Sequence, residues 1–238
     1  MLQIPKIIGH IWVGHLQAPQ EWMQTWRDYH PTWEYRLYDN EYLFSRRWKN
    51  QELINAFYAR KEYACVSDLM RYEILEEVGG FIPEADSICL RATDELWDKP
   101  DAAYTVHESE VAKPGLVSPF LASAPNHPIF PYLQERAKQR NDPASLKPAW
   151  RSVGNRFLKF AIEEASQDIK SKLVIFPSHY FIPEHKDTGI YQGDGPVYCN
   201  QLWGTTFKRY KQDPTVNLEE LHDAHMRRLN ERLGESPH

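Results

Sequence analysis

The 238-residue chain is poor in cysteine and in long apolar runs. Cys65, Cys89 and Cys199 are scattered, and none stands in a C-x-x-C spacing. That removes zinc-ribbon and disulfide-framework readings and predicts a reduced, cytoplasmic setting. No apolar stretch approaches the ~18 residues a bilayer-crossing helix needs, and "MLQIPKIIGHIWVG" lacks the basic-then-apolar order of an export signal. A soluble protein with no membrane span is expected. G-x-S-x-G, P-loop and G-x-G-x-x-G patterns are missing too, which takes the main support from hydrolase, kinase-like and Rossmann dehydrogenase readings. A net charge of -5 gives no overall attraction to a polyanion, although "FSRRWKN" and "FKRYKQ" are local basic patches. What is plentiful is aromatic surface: 13% Phe, Trp and Tyr, with eight Trp, enough for both core and stacking platforms.

Periodicity predicts alternating elements. "IPKIIGHIWVG" and "WEYRLYD" read as strands, with a helix between them over "PQEWMQTWRDYHP". Helices are predicted at "EYLFSRRW" and "QELINAFYAR". A longer one covers "EYACVSDLMRYEILEEV", with Val66, Met70, Ile74 and Val78 as an i, i+4 stripe and Gly79-Gly80 as its stop. Strands follow at "FIPEADSICL", "AAYTVH", "GLVSPFLAS" and "KLVIF", and helices at "HPIFPYLQERAKQ" and "WRSVGNRFLKFAIEEA". This alternation predicts an α/β fold with a mostly parallel central sheet flanked by helices. One domain over 1–238 is expected, with a C-terminal helix at about 215–235 as an annex.

Five places carry candidate chemistry. In "EEVGGFIPEADSICL", Glu84 and Asp86 stand two apart, and on an extended segment both would point to one side. Oxygen ligands so placed suit manganese or magnesium, and loops beyond strand ends are where α/β sheets bind ligands; the bland reading is a pair of exposed loop carboxylates. In "SDLMR", Asp68 and Arg71 are helix neighbours, either a surface ion pair or groups for sugar hydroxyls and phosphate. Trp12 is either core or a stacking platform for a base. "NQLWGTTF" offers Gln201, Trp203, Thr205 and Thr206, otherwise a strand and turn. His222 and His225 have helical spacing but no evident third metal ligand.

Taken in order, "IPKIIGHIWVG", "HPTWEYRLYDN", "ACVSDLMRYEILEEVGGFIPEADSICL", "ASAPNHPIF", "FPSHYFIP" and "VYCNQLWGTTF" resemble the DXD-motif glycosyltransferases that use sugar nucleotides. The resemblance is to the yeast initiating-mannosyltransferase and capsular-polysaccharide type (glycosyltransferase family 32-like), with large glucosylating toxins as distant relatives. It implies a GT-A fold, a UDP- or GDP-sugar donor, a divalent cation (Mn2+ or Mg2+), transfer to the hydroxyl of an acceptor glycan or other molecule, and retention of configuration. On the matching positions, Trp12 and Val13 would meet the base, Ser67 and Asp68 the ribose or sugar, and Arg71 the donor sugar and phosphates. Asp86 would be the direct metal ligand with Glu84 and Gln201 beside it, and Trp203 and Thr205 would complete the nucleotide-sugar site. Asp86, Arg71 and Asp68 would be the catalytic set.

The chain departs from the family's pattern in having Glu84 for the first Asp of D-x-D, Gln201 in the terminal block where relatives carry His-x-Trp, and Pro119 where they carry Asn. Those positions motivate a second reading, a non-catalytic sugar-nucleotide-binding module. A third keeps the chemistry but makes a hydroxylated base in DNA the acceptor, with the two basic patches as phosphate contacts; a nucleic-acid acceptor is not favoured.

Overall fold

The β-branched run near the start forms β1 (Ile7–Ile11) in the computed structural model, which describes residues 4–204, 206–211 and 215–235, with 149 and 150 by backbone only. Next come α1 (Gln20–Tyr29), β2 (Glu34–Tyr38), α2 (Asn40–Phe44), α3 (Gln51–Ala59), α4 (Tyr63–Glu77), β3 (Gly80–Phe81) and β4 (Ser87–Cys89). The middle of the chain holds β5 (Ala103–Ser109), β6 (Lys113–Val117), β7 (Ala122–Ser123), α5 (Ile129–Arg140), α6 (Ala149–Ser152), α7 (Asn155–Glu164) and α8 (Gln167–Lys170). Last are β8 (Leu173–Phe176), β9 (Glu184–His185), β10 (Gly189–Ile190), β11 (Cys199–Gln201) and α9 (Leu218–Glu231).

The main sheet is seven-stranded, in the order β2-β1-β3-β7-β5-β6 with β8 also on β5. β1, β2, β3, β5 and β8 run one way, while β6 and β7, the return arm of a hairpin from β5, run the other. The fold is therefore α/β with a mostly parallel central sheet, as the alternation predicts. Ile8, Phe81, Ala122 and Tyr104 form one cross-strand row. Trp12, Glu84 and Glu108 stand four, three and four residues past that row along β1, β3 and β5. All three thus reach the carboxyl edge of the sheet, where open α/β folds bind ligands.

Each face of the sheet carries a core. On one, Ile11 and Val13 join Phe57 from α3, Met70 and Ile74 from α4, Leu133 from α5 and Leu158 from α7. On the other, Ile8, Phe81, Tyr104 and Val106 pack with Trp26 of α1, Trp97, Phe176 and Tyr198. At the helix-to-sheet junction, Gly79 and Gly80 have φ of +68° and +91°. A Cβ at Gly80 would lie 2.6 Å from the Ile7 carbonyl oxygen, so only glycine lets α4 end and β3 begin against β1.

Several boundaries differ from expectation. The strand predicted over "FIPEADSICL" breaks after Phe81, because Pro83 has no N–H for a ladder and the Ile82 carbonyl is taken by Arg71. The chain instead turns at residues 84–87, with the Ser87 N–H and hydroxyl both donating to the Glu84 carbonyl. β4 then pairs antiparallel with β11 in a separate small sheet. The helix predicted over "WRSVGNRFLKFAIEEA" is interrupted at Gly154, between α6 and α7, and "GLVSPFLAS" is divided into β6 and β7. At the C-terminal end, α9 lies on α3: Leu229 is fully buried in the larger cluster, and Asn55 donates to Asn230 at 2.9 Å.

Candidate functional site

Several parts of the chain meet in one cavity of about 810 Å³ at the carboxyl edge. Trp12 and Val13 come from the end of β1, and Ser67, Asp68 and Arg71 from α4. Glu84 and Asp86 come from the turn after β3, and Gln201 and Trp203 from β11 and beyond. Pro119 lines it as well. Thr205 lies outside the described residues.

Trp12 is half-buried, and its indole orientation is set by donation from Nε1 to the Leu16 carbonyl at 2.8 Å and by an edge contact with Tyr210 at 4.8 Å between ring centroids. An aromatic face held this way is ready for stacking. The backbone beneath it is fixed by Asn40, whose side chain accepts from the Gly14 N–H and donates to the Gly14 carbonyl.

α4 explains why "SDLMR" is no surface pair. The helix is wedged between the sheet and α3, α5 and α6, so even its charged Arg71 and Glu73 are buried. Arg71 is 2% exposed. Its Nη1 donates to the carbonyls of Ile82 and Phe120, and its Nη2 donates to Glu84 Oε1 at 2.7 Å. A buried guanidinium is tolerated only with such satisfaction, and it fixes the turn that carries Glu84.

Asp86 is held from the opposite wall. Its Oδ1 accepts from Gln201 Nε2 at 2.5 Å, its Oδ2 from the Gly204 N–H at 2.8 Å, and its carbonyl from the Leu202 N–H. Because the Gln201 amide nitrogen is donating, only that side chain's amide oxygen is suited to meet a cation.

Arg71 is thus the buried cation beside Asp68 and Glu84, and Asp86 lies next to Glu84. Burial pushes the Asp68 carboxyl up to about 8, with Arg71 opposing and Glu84 adding to the rise. Glu84 is also raised, by burial first, against Arg71 and with Asp86 adding. This excess of acid over base is chemically suited to a divalent cation. The donor set is all oxygen, as manganese and magnesium prefer. Among the described residues no group of three or more His, Cys, Asp or Glu is placed to hold a metal ion. A cation here would take the rest of its coordination from a bound diphosphate and water.

The His222 and His225 pair has another employment. The Tyr58 hydroxyl and His225 Nδ1 are 2.5 Å apart, and His222 stacks on the Tyr58 ring, so these residues latch α9 to α3. Missed by sequence reasoning were Glu108 and Asn155, which line the cavity, and His185 behind Glu108. Their one local signal lies in "AYTVHES": Tyr104, Val106 and Glu108 share a strand face by alternation, so a carboxylate stands where the buried face calls for an apolar residue.

The fold and this edge cavity define a class, the GT-A-type fold of nucleotide-diphospho-sugar transferases. Its solved structures include the PaToxG glycosyltransferase, which this chain resembles with a TM-score of 0.53 at 17% identity, covering 68% of this chain and 70% of that one. In sequence, the family model described as "Glycosyltransferase sugar-binding region containing DXD motif" matches residues 18–103, from α1 through α4 to Glu84 and Asp86. An uncharacterized glycosyltransferase of Acanthamoeba polyphaga mimivirus is 25% identical over 175 residues, 69% of this chain and 67% of its own length. The chain is glycosyltransferase-like in sequence and in fold.

Proposed function

We propose that the protein transfers a sugar from a UDP- or GDP-sugar to an acceptor hydroxyl with retention of configuration, as an initiating-mannosyltransferase-like enzyme. The observation that carries this is the convergence of Trp12, Asp68, Glu84 and Asp86 on one edge cavity. In this reading Trp12 stacks on the base while the Val13 backbone borders it. Ser67 and Asp68 bind ribose and sugar hydroxyls, and Trp203 belongs to the nucleotide-sugar site; Thr205, assigned to that site by the resemblance, lies outside the described residues. Asp86, with Glu84 and the Gln201 amide oxygen near it, would hold Mn2+ or Mg2+. That cation supplies positive charge to the departing diphosphate, whose stabilisation is the main catalytic demand.

Arg71 serves this site chiefly by fixing Glu84, and it adds positive charge under the leaving group. Burial favours the protonated form of Asp68, and a bound cation would favour its ionised form. A base-free mechanism, in which the leaving phosphate accepts the acceptor's proton, is consistent with this set.

The sequence patch "FSRRWKN" bears on the DNA-acceptor reading. Arg46 is paired with Glu73 and Glu77 and Lys49 with Glu76, so two of that patch's three cations are engaged within the chain. The test is a panel of UDP- and GDP-sugars with manganese, followed by release of nucleoside diphosphate. We expect turnover of one donor and a loss of at least 100-fold in kcat/KM for Asp86→Ala. Binding of donors with no turnover of any would establish the non-catalytic module instead, and unchanged turnover in Asp86→Ala would refute the assignment.

A further inference from the structure

The sheet edge gives the cavity a direction. Along the order β1-β3-β7-β5, Trp12 stands at the β1 end, Glu84 at β3, and Glu108 at β5. Three strand spacings separate β1 from β5, roughly 14 Å. Strand alternation puts Ile8, His10 and Trp12 on one face of β1 and Tyr104, Val106 and Glu108 on one face of β5. Ile8, Tyr104 and Val106 belong to the same core cluster, so Trp12 and Glu108 leave the sheet on the same side.

Glu108 is also held. Its Oε2 accepts from Asn155 Nδ2 at 2.6 Å. Its Oε1 is 3.6 Å from Nε2 of His185, a residue 3% exposed. His185 Nδ1 accepts the Asp187 N–H, which puts the ring proton of the neutral imidazole on Nε2. That Nε2 is buried and has no hydrogen-bond partner. A buried donor without a partner is costly, and here it points toward a carboxylate just beyond bonding distance. The His185 ring in turn stands edge-on to Trp203, another lining residue.

We propose that Glu108, oriented by Asn155 and His185, is the acceptor-binding carboxylate at the β5 end of the cavity, where it takes a hydrogen bond from a hydroxyl of a neutral polyhydroxylated acceptor. This rests on the glycosyltransferase reading above. Glu108 belongs to neither the base end nor the D-x-D turn, and a carboxylate accepting from a hydroxyl is a charge-assisted bond that glutamine makes only weakly. His185 and Asn155 are positioning residues that act through it.

The test uses the full chain, the nucleotide sugar selected by the donor panel with manganese, and methyl glucoside and methyl mannoside as acceptor probes. Glu108→Gln should raise the acceptor KM roughly tenfold or more while the Kd for the donor and the donor-induced rise in Tm stay as in the wild type. Asn155→Ala should shift the acceptor KM in the same direction, and the double variant should be no worse than Glu108→Gln alone, since both act through one group. Probes used equally by wild type and Glu108→Gln, or by neither, overturn the proposal. So does a loss of donor affinity as large as the loss of acceptor use. Failure of the parent reading looks different: no nucleotide sugar then binds or turns over in the wild type.

Discussion

At the scale of the residue, Asp68 carries a stability cost. Its carboxyl is raised to about 8 by burial, against an ordinary value of 3.8. The sign follows from linkage: the folded state binds this proton more tightly, so the stabilisation is complete below about pH 4 and is lost as pH rises toward 8. Asp68→Asn keeps the shape and removes the ionisation. We expect it to stabilise the protein without added ligand by roughly 1–3 kcal/mol at pH 8.5 and by almost nothing at pH 4, as read by urea unfolding at the two pH values. The same variant should weaken donor binding. Arg71 gives the opposite case. Arg71→Ala strands two buried carbonyls and leaves Glu84 without its ion-pair partner, for which a loss of roughly 3–5 kcal/mol is expected in the same unfolding measurement.

At the scale of the element, the Gly79-Gly80 junction decides whether α4 can deliver Asp68 and Arg71 to the end of the sheet. Gly80→Ala forces a side chain into a positive-φ position 2.6 Å from the Ile7 carbonyl oxygen. A destabilisation of about 2–3 kcal/mol is expected by chemical denaturation. α9 is a second element whose weight lies in packing. Leu229 is fully buried, and Arg228 forks onto Glu41 at 2.7 and 2.9 Å. Leu229→Ala should cost roughly 2–5 kcal/mol, whereas Arg228→Ala should cost under about 1 kcal/mol, because that pair is exposed and screened. The ratio of the two effects distinguishes a packed helix from one held by charge.

At the scale of the whole molecule, the cavity is lined by β1, α4, the turn after β3, β5, α7 and the segment after β11, so a bound donor would tie distant parts of the chain together. A nucleotide sugar present at a hundredfold excess over its Kd should stabilise the fold by about 2.7 kcal/mol. For a chain of this size that is a rise of roughly 5–11 °C in Tm by calorimetry. Chelating the divalent cation should remove most of the rise, because the carboxylates of Glu84 and Asp86 repel a diphosphate when no cation stands between them.

The sequence by itself determined whatever short-range chemistry encodes. Alternation of strand and helix patterns set the α/β class. Spacing and order of local blocks marked Trp12, Asp68, Arg71, Glu84 and Asp86, which do meet in one cavity. Only the tertiary structure decided how those groups are used, because each partner lies far along the chain. Pro83 was readable, but the turn at 84–87 is also fixed by Arg71 from another element, and Asp86 is gripped by Gln201 and Gly204, more than a hundred residues away. Glu108 was a single misplaced carboxylate in a strand pattern until the fold set Asn155 and His185 beside it. Periodicity reports which face a residue takes, and long-range contacts, paid for by chain closure, decide what it meets there.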